Sequence, residues 1–407
     1  MAVGRCEPPG SRVCYSIGVT SHELFGPAAR RDQFPVYASL RGSGPVQVGP
    51  TRWALLDHKD VRAALADPIA FSSDLGSRGN PVFANSPLIF DDPPRHTRLR
   101  RLVGQAFTAR QVALVRPWLS TLAAGLFDGM ESGPVDAISA YCDPFPTGAI
   151  ARLLGVPTAD HGVLKQWSLD RTFVAYHGDR DARRTPALEA AERGCAEFTA
   201  FLLGLVAERR ARPRDDLLSA LAAAEVDGAT LSDEEIAALG GVLLSAGNVT
   251  TTRLLGNLFH HLASSPDLLQ RLRGDRSLLA PVVEEVLRLE SPVQFPARIT
   301  TRDVELSGTT IPAGHFVMVG LGSANHDDAY SPDPDCLRPG ERPPHLAFGY
   351  GIHFCAGAAL ARQEAAITVH TILDRYDAIE MVAAPVREEG LAHRGYAQLM
   401  VRLWVHT

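Results

Sequence analysis

Apolar positions recur at helical spacing through most of the chain and switch to alternation over one short stretch, a pattern that predicts a mainly α fold with a small β region. Helical periodicity dominates from Leu99 to Leu289. Between Ala297 and Ser323 the segments ARITT, DVELSG, TIPAG and HFVMVGLGS alternate and turn as short strands do. The clearest helix opens at Ser232, which forms a capping-box pattern with Glu235. Its apolar residues Ile236, Leu239, Leu243, Leu254 and Leu258 hold the period as far as Pro266. That is about thirty residues, or about 45 Å at the usual rise. The middle of this helix reads SAGNVTTT, residues 245–252, small and hydroxylated where packing alone favours leucine. A second helix lies between Pro281, near its first turn, and Pro292, past its end, and sets Glu285 and Arg288 three apart on one face.

Composition changes this picture little. The chain has 407 residues, 45% hydrophobic and 21% charged, as an ordinary folded protein does. The Pro/Gly clusters EPPG (7–10) and SPDPDCLRPGERPP (331–344) are short enough to be loops, so the expectation is one domain over 1–407 with a flexible start of about twenty residues. No apolar run reaches the roughly 18 residues of a membrane span, and the start MAVGRCEPPGSRVCYS has no apolar signal segment, so a cytoplasmic protein without a membrane partner is expected. Of the 40 basic residues only Lys59 and Lys165 are lysines, and the net charge is −6. The arginine excess therefore reads as genome composition and not as a nucleic-acid surface. The cysteines Cys6, Cys14, Cys142, Cys195, Cys336 and Cys355 contain no C-x-x-C pair, which argues against a disulfide framework and against a four-cysteine zinc site.

Candidate chemistry centres on Cys355, within LAFGYGIHFCAGAALAR (346–362). A thiolate at a helix N-terminus is stabilised by the dipole and by free N–H groups, which flanking glycines let approach the sulfur. A buried structural cysteine in a glycine-rich turn fits the composition equally well. The full pattern Phe348-x-x-Gly351-x-x-x-Cys355-x-Gly357 resembles the haem-ligating loop of the cytochrome P-450 superfamily. Three further stretches resemble the same family in the same order, so that the likeness spans about residues 25–405: DDPPRHTRLRRLV, the SAGNVTTT helix and the Glu285–Arg288 helix.

The resemblance implies a cytochrome P-450-like fold and haem b as cofactor, with Cys355 as its axial thiolate, Phe348 packed by the sulfur, and Gly349 and Gly357 shaping the loop. His96, Arg100, Arg298 and His353 match the residues that hold the haem propionates. Ala246 and Gly247 would let the haem face lie close to the long helix, and Thr250 falls on the oxygen-activating threonine. Glu285 and Arg288 match a buried structural pair completed by an arginine from the loop before the cysteine, here Arg338 with Arg342 close behind. The family's acid before the threonine is Val249 here, so protons would travel through water held by Thr250 with Asn248 or Thr251, or through a group of the substrate.

The implied activity is insertion of one oxygen atom from O2 into an organic molecule, with electrons from a ferredoxin and its reductase. Arg98 and Arg101 would steer such an acidic partner. Two other readings stand beside this one: a peroxide-using or radical-coupling haem-thiolate enzyme, kept open by Val249, and a non-catalytic haem sensor, against which Thr250 counts. By the same resemblance the substrate pocket takes Val82, Phe83, Ala84, Asn85 and Leu88 from the loop 77–90, and Val242, Ser245 and Ala246 from the long helix. Gln294 and Phe295 from VQFPA, and Tyr396 and Gln398 from GYAQLM, complete it. Mainly apolar with isolated polar groups, it suits a sizeable hydrophobic substrate such as a polyketide, terpenoid or peptide intermediate.

Overall fold

The computed structural model describes residues 24–76, 82, 85–107, 109–130, 133–177, 184–226, 229–340 and 344–405. Its axis is the long helix Asp233–Ser264, whose capping box forms as the sequence predicts: Ser232 Oγ accepts from the Glu235 N–H, and Glu235 Oε2 accepts from the Ser232 N–H at 3.1 Å. Apolar residues surround this helix on almost every side, from Ile236 to Leu262, so tertiary burial and not local propensity sustains its 32 residues. Packed against it are the helices Pro144–Leu154, His161–His177, Pro186–Ala211 and Ala358–Arg375. Together they form the main core, which runs from Leu88 to Leu403.

The β region is wider than alternation suggested. The expected strands appear at Ala297–Thr300, Val304–Leu306, Thr309–Ile311 and Phe316–Val319. Two of them, however, lie inside a five-stranded sheet of order Val46–Gly49, Arg52–Leu55, Phe316–Val319, Ala297–Thr300, Phe71–Ser72. Only the pairing of Arg52–Leu55 with Phe316–Val319 in that sheet is parallel. A second sheet joins Tyr376–Met381, Met400–Val405 and Val135–Asp136. These added strands are short and pair with distant segments, so no local period announces them.

The helix Leu279–Leu289 anchors the loop that leads to Cys355. Glu285 and Arg288 are buried, with Arg288 Nε on Glu285 Oε1 at 2.7 Å and Nη2 on Oε2 at 3.1 Å. Arg288 also donates to the carbonyls of Asn325 (3.0 Å) and Cys336 (2.9 Å), pinning the chain ahead of the cysteine. Arg338 joins the pair through its backbone: its N–H donates to Glu285 Oε2 at 2.9 Å, while its guanidinium Nε stays 4.0 Å away. Arg342 lies outside the described residues.

Candidate active site

Cys355 closes a tight loop. Its N–H donates to the Phe348 carbonyl at 2.9 Å, and Gly349 and Gly351 both take φ of 72°, the left-handed region that suits glycine. Gly351 has a second reason to lack a side chain, since a Cβ there would stand 2.4 Å from the Leu65 carbonyl. The backbone N–H groups of Gly357 and Ala358, opening the helix Ala358–Arg375, point at the sulfur. Burial pushes the thiol pKa up, and those N–H groups, with Arg100 and Arg362, pull it partly back. A metal cation at the sulfur would complete that reversal. Phe348 carries the Arg362 guanidinium 4.5 Å above its ring, and Arg362 holds Glu284 through two 2.7 Å bonds, a second clamp on this loop that the sequence did not announce.

Beside the thiol, basic side chains from three elements converge. His96 and Arg100 come from the helix Arg95–Ala106, Arg298 from the strand Ala297–Thr300, and His353 from the cysteine loop. The His96 and His353 rings are 4.2 Å apart, and both rings feel the charges of Arg298 and Arg100. Burial, then Arg298 and His96, drives the His353 pKa down to about 3, and burial takes Arg298 down to about 10. His353 is bonded to Ser73 Oγ at 3.0 Å and to the Leu88 backbone. His96 is different: both ring nitrogens are buried without a hydrogen-bond partner. The nearby acids make their hydrogen bonds elsewhere, Asp91 accepting from Arg95 (2.8 Å) and the Leu88 N–H (2.7 Å) and Asp92 from Ser72 (2.5 Å) and the Ser73 N–H (2.9 Å), and act on His96 and, for Asp92, on Arg298 only through space. Unpaired buried donors around a cation-rich space fit a bound anionic group, as haem propionates would be.

On the long helix Ala246 is exposed, and the half-buried Thr250 donates its hydroxyl to the Ala246 carbonyl at 2.7 Å. The neighbouring expectations need correction. Asn248 is 2% exposed, on the opposite side of the helix, and its Oδ1 accepts from Thr252 at 3.1 Å; Thr251 is 5% exposed. Neither opens onto the face of Ala246 and Thr250. Gly247 also turns away: a Cβ there would meet Ile150 Cγ1 at 3.1 Å, so its small size serves packing against the helix Pro144–Leu154.

Residues 183–390 match the family model described as Cytochrome P450. Over 87% of the chain and 86% of the relative, the sequence is 38% identical to the cytochrome P-450 monooxygenase PikC of Streptomyces venezuelae. The chain belongs to the cytochrome P-450 family. It is 36% identical to the cyclomarin C epoxidase CymV of Salinispora arenicola, over 82% of this chain and 86% of that one. The solved structure of a cytochrome P-450 from Chondromyces apiculatus superposes with a TM-score of 0.83 at 36% identity, covering 94% of this chain and 98% of that one. The protein is a cytochrome P-450 monooxygenase with haem b as cofactor.

The pocket of this cytochrome P-450 departs from the sequence reading in several places. Gln294 is fully buried, donating to the Ser291 carbonyl (2.7 Å) and accepting from Tyr37 Oη (3.2 Å). Tyr396 is 2% exposed, stacked on His260 with ring centroids 4.8 Å apart and capped by Arg387. Both are structural. Gln398 sits exposed on a strand opposite Val386, and Val242 and Leu88 pack into the interior. Phe83 and Ala84 lie outside the described residues, whereas Val82 packs on Val174, Leu188 and Ala191. A cleft of about 1130 Å³ does include Phe295, with Leu75, Phe173 and the turn from Glu388 to His393 on its walls. Among the described residues no helix is long and apolar enough to cross a membrane.

Proposed function

We propose that Cys355 is the axial thiolate of the haem, that His96, Arg100 and Arg298 hold its propionates with His353 buttressing them, and that the whole chain works as one haem-thiolate domain. The observation that carries this is the pair of unpartnered His96 nitrogens beside Arg298, a few residues in space from a thiol flanked by aimed N–H groups. Haem bound through a thiolate supplies the chemistry of O–O cleavage. The chain's own residues do the rest. The N–H groups of Gly357 and Ala358, with Arg100 and Arg362, stabilise the negative charge of the sulfur, and Thr250, fixed by its bond to the Ala246 carbonyl, offers its oxygen to a water on the reacting side. Val249 cannot relay a proton, and its carbonyl accepts from Arg253 Nη1 at 2.8 Å, so protons reach Thr250 through water or through the substrate.

The substrate in this reading is a sizeable, mostly hydrophobic organic molecule, hydroxylated or epoxidised as a tailoring step, with electrons from a ferredoxin and ferredoxin reductase. The volume of the cleft that includes Leu75, Phe173 and Phe295 supports the size, and the relative named as an epoxidase of cyclomarin C supports the tailoring role. Val249 in the acid position favours one second reading, a peroxide-driven haem-thiolate enzyme. The separating experiment measures product from a hydrophobic substrate panel, first with NADH, O2 and surrogate ferredoxin and reductase, then with hydrogen peroxide alone. The monooxygenase reading expects product incorporating labelled oxygen from O2. Product with peroxide only would overturn it in favour of the second.

A further inference from the structure

One turn along the long helix from Val249 stands Arg253, and side chains four apart on a helix are neighbours, about 5–6 Å apart at Cβ. Arg253 is also seven residues beyond Ala246 and three beyond Thr250, which puts it on the face those two residues share. It is buried, and its guanidinium is fully engaged. Nη1 donates to the Val249 carbonyl at 2.8 Å, Nε donates to Glu388 Oε2 at 2.8 Å, and Nη2 meets the same oxygen at 2.7 Å.

Glu388 opens the turn between the strands Val386–Arg387 and Tyr396–Gln398. That turn is fixed against the long helix. Gly395 approaches Arg253 so closely that a Cβ there would stand 2.5 Å from Arg253 Cγ, and the Glu388 N–H donates to the Gly395 carbonyl at 3.2 Å. From outside the turn, Gln33 Nε2 donates to the Gly390 carbonyl at 2.9 Å. A carboxylate from a distant part of the chain is thus held beside Val249, by a residue of the same helix. Arg253 occupies Glu388 Oε2, whereas Oε1 accepts no hydrogen bond from any described residue. Glu388 and Arg253 both line the cleft of about 1130 Å³ that includes Leu75 and Phe295. Of the other carboxylates on that cleft, Asp170 accepts from Gln166 at 2.8 Å and Glu389 is exposed, and neither is bonded to the long helix.

We propose that Glu388 is the proton-relay acid of this chain and does what an acid at position 249 would do. This rests on the reading of Thr250 as the residue that holds water on the reacting side. Each proton passes from solvent to Glu388 Oε1, then to water in the cleft, and through that water to the one held by the Thr250 oxygen. Glu388 ends each passage as the carboxylate it began, and no electron moves with the proton. Solvent reaches it because its side chain is 29% exposed, and the cleft has ample room for a chain of waters. Arg253 is the positioning residue: a guanidinium keeps its protons, so it fixes Glu388 at the helix and takes no part in the transfer.

The test uses the haem-loaded protein with NADH, O2, surrogate ferredoxin and reductase, and testosterone and hexadecanoic acid as apolar probes. Glu388→Gln keeps the shape of the side chain and removes its proton, so product formation should slow roughly 10- to 100-fold, with a larger solvent deuterium isotope effect than in wild type. The Kd of each probe, read from the Soret shift it induces without turnover, should be unchanged. Glu388→Asp should recover part of the rate. Val249→Asp added to Glu388→Gln should recover most of it, because the new carboxylate again meets Arg253. A wild-type rate in Glu388→Gln overturns the proposal, as does a slower rate that comes with weaker probe binding and an unchanged isotope effect. Should Glu388→Gln alone fail to hold haem, the double variant decides, since a haem-loaded double variant without turnover overturns the proposal equally. Wild type that shows the ferrous carbon-monoxide band of a haem thiolate but forms no product from either probe defeats the oxygenase reading beneath, and a missing band defeats the haem reading.

Discussion

Thr250 is where the proton supply of the proposed reaction converges. Its hydroxyl proton is committed to the Ala246 carbonyl at 2.7 Å, which leaves the oxygen lone pairs to accept from a water on the exposed side of the helix. Thr250→Ala removes that fixed acceptor, so product formed per NADH consumed under O2 should fall roughly ten- to a hundredfold, with the electrons recovered as peroxide. Unchanged coupling would remove Thr250 from the account. At this scale the sequence is informative where chemistry resides in residue type. A thiol among glycines, and histidines and arginines in recognisable strings, point to the cluster that the fold assembles around Cys355. Side-chain direction is another matter. Gln294 and Tyr396 carry suitable groups, but Tyr37 and His260 claim them in the interior, and Asn248 lies two residues from Thr250, which on a helix is nearly the opposite face.

Elements show the converse balance. The helices Asp233–Ser264 and Leu279–Leu289 are legible because caps, prolines and apolar period are local signals. The strands Val46–Gly49 and Arg52–Leu55 are not, because what fixes them is a partner such as Phe316–Val319, over 260 residues away. The π-helical segment Ile138–Cys142 packs closely on Gly256, where a Cβ would stand 2.8 Å from Ile138 Cδ1, a contact with a distant residue that no local pattern shows. The helix Leu279–Leu289 carries a testable load. Glu285→Ala leaves Arg288 buried with its charge uncompensated and frees the Arg338 N–H, which should cost about 3–5 kcal/mol of stability. Denaturant unfolding of the purified variant measures this, and wild-type stability would refute the clamp.

For the molecule as a whole, buried titratable groups set how the fold responds to acid. Burial, helped by His261 and Arg387, lowers the His260 pKa to about 4, so the unfolded chain binds a proton there that the native state refuses. Stability from this source is complete above the ordinary histidine range, near 6.5, and declines as pH falls towards about 4. Glu290 sits at about 2, where Arg394 and Arg387 overcome its desolvation, so its contribution is complete above about 4.5 and is lost as pH falls to about 2. Urea unfolding followed from pH 8 downwards should therefore decline in two windows, and His260→Gln should shrink the upper one while sparing the lower; a flat profile from pH 7 to 4.5 would contradict this. The central claim is that this cation-rich cavity binds haem through Cys355. It is tested most directly by the absorption spectrum of the reduced, carbon-monoxide-bound protein, recorded for wild type and for Cys355→Ser. The account predicts the red-shifted Soret band of a haem thiolate in wild type and its loss in folded Cys355→Ser, whereas the same band in the folded variant would contradict it.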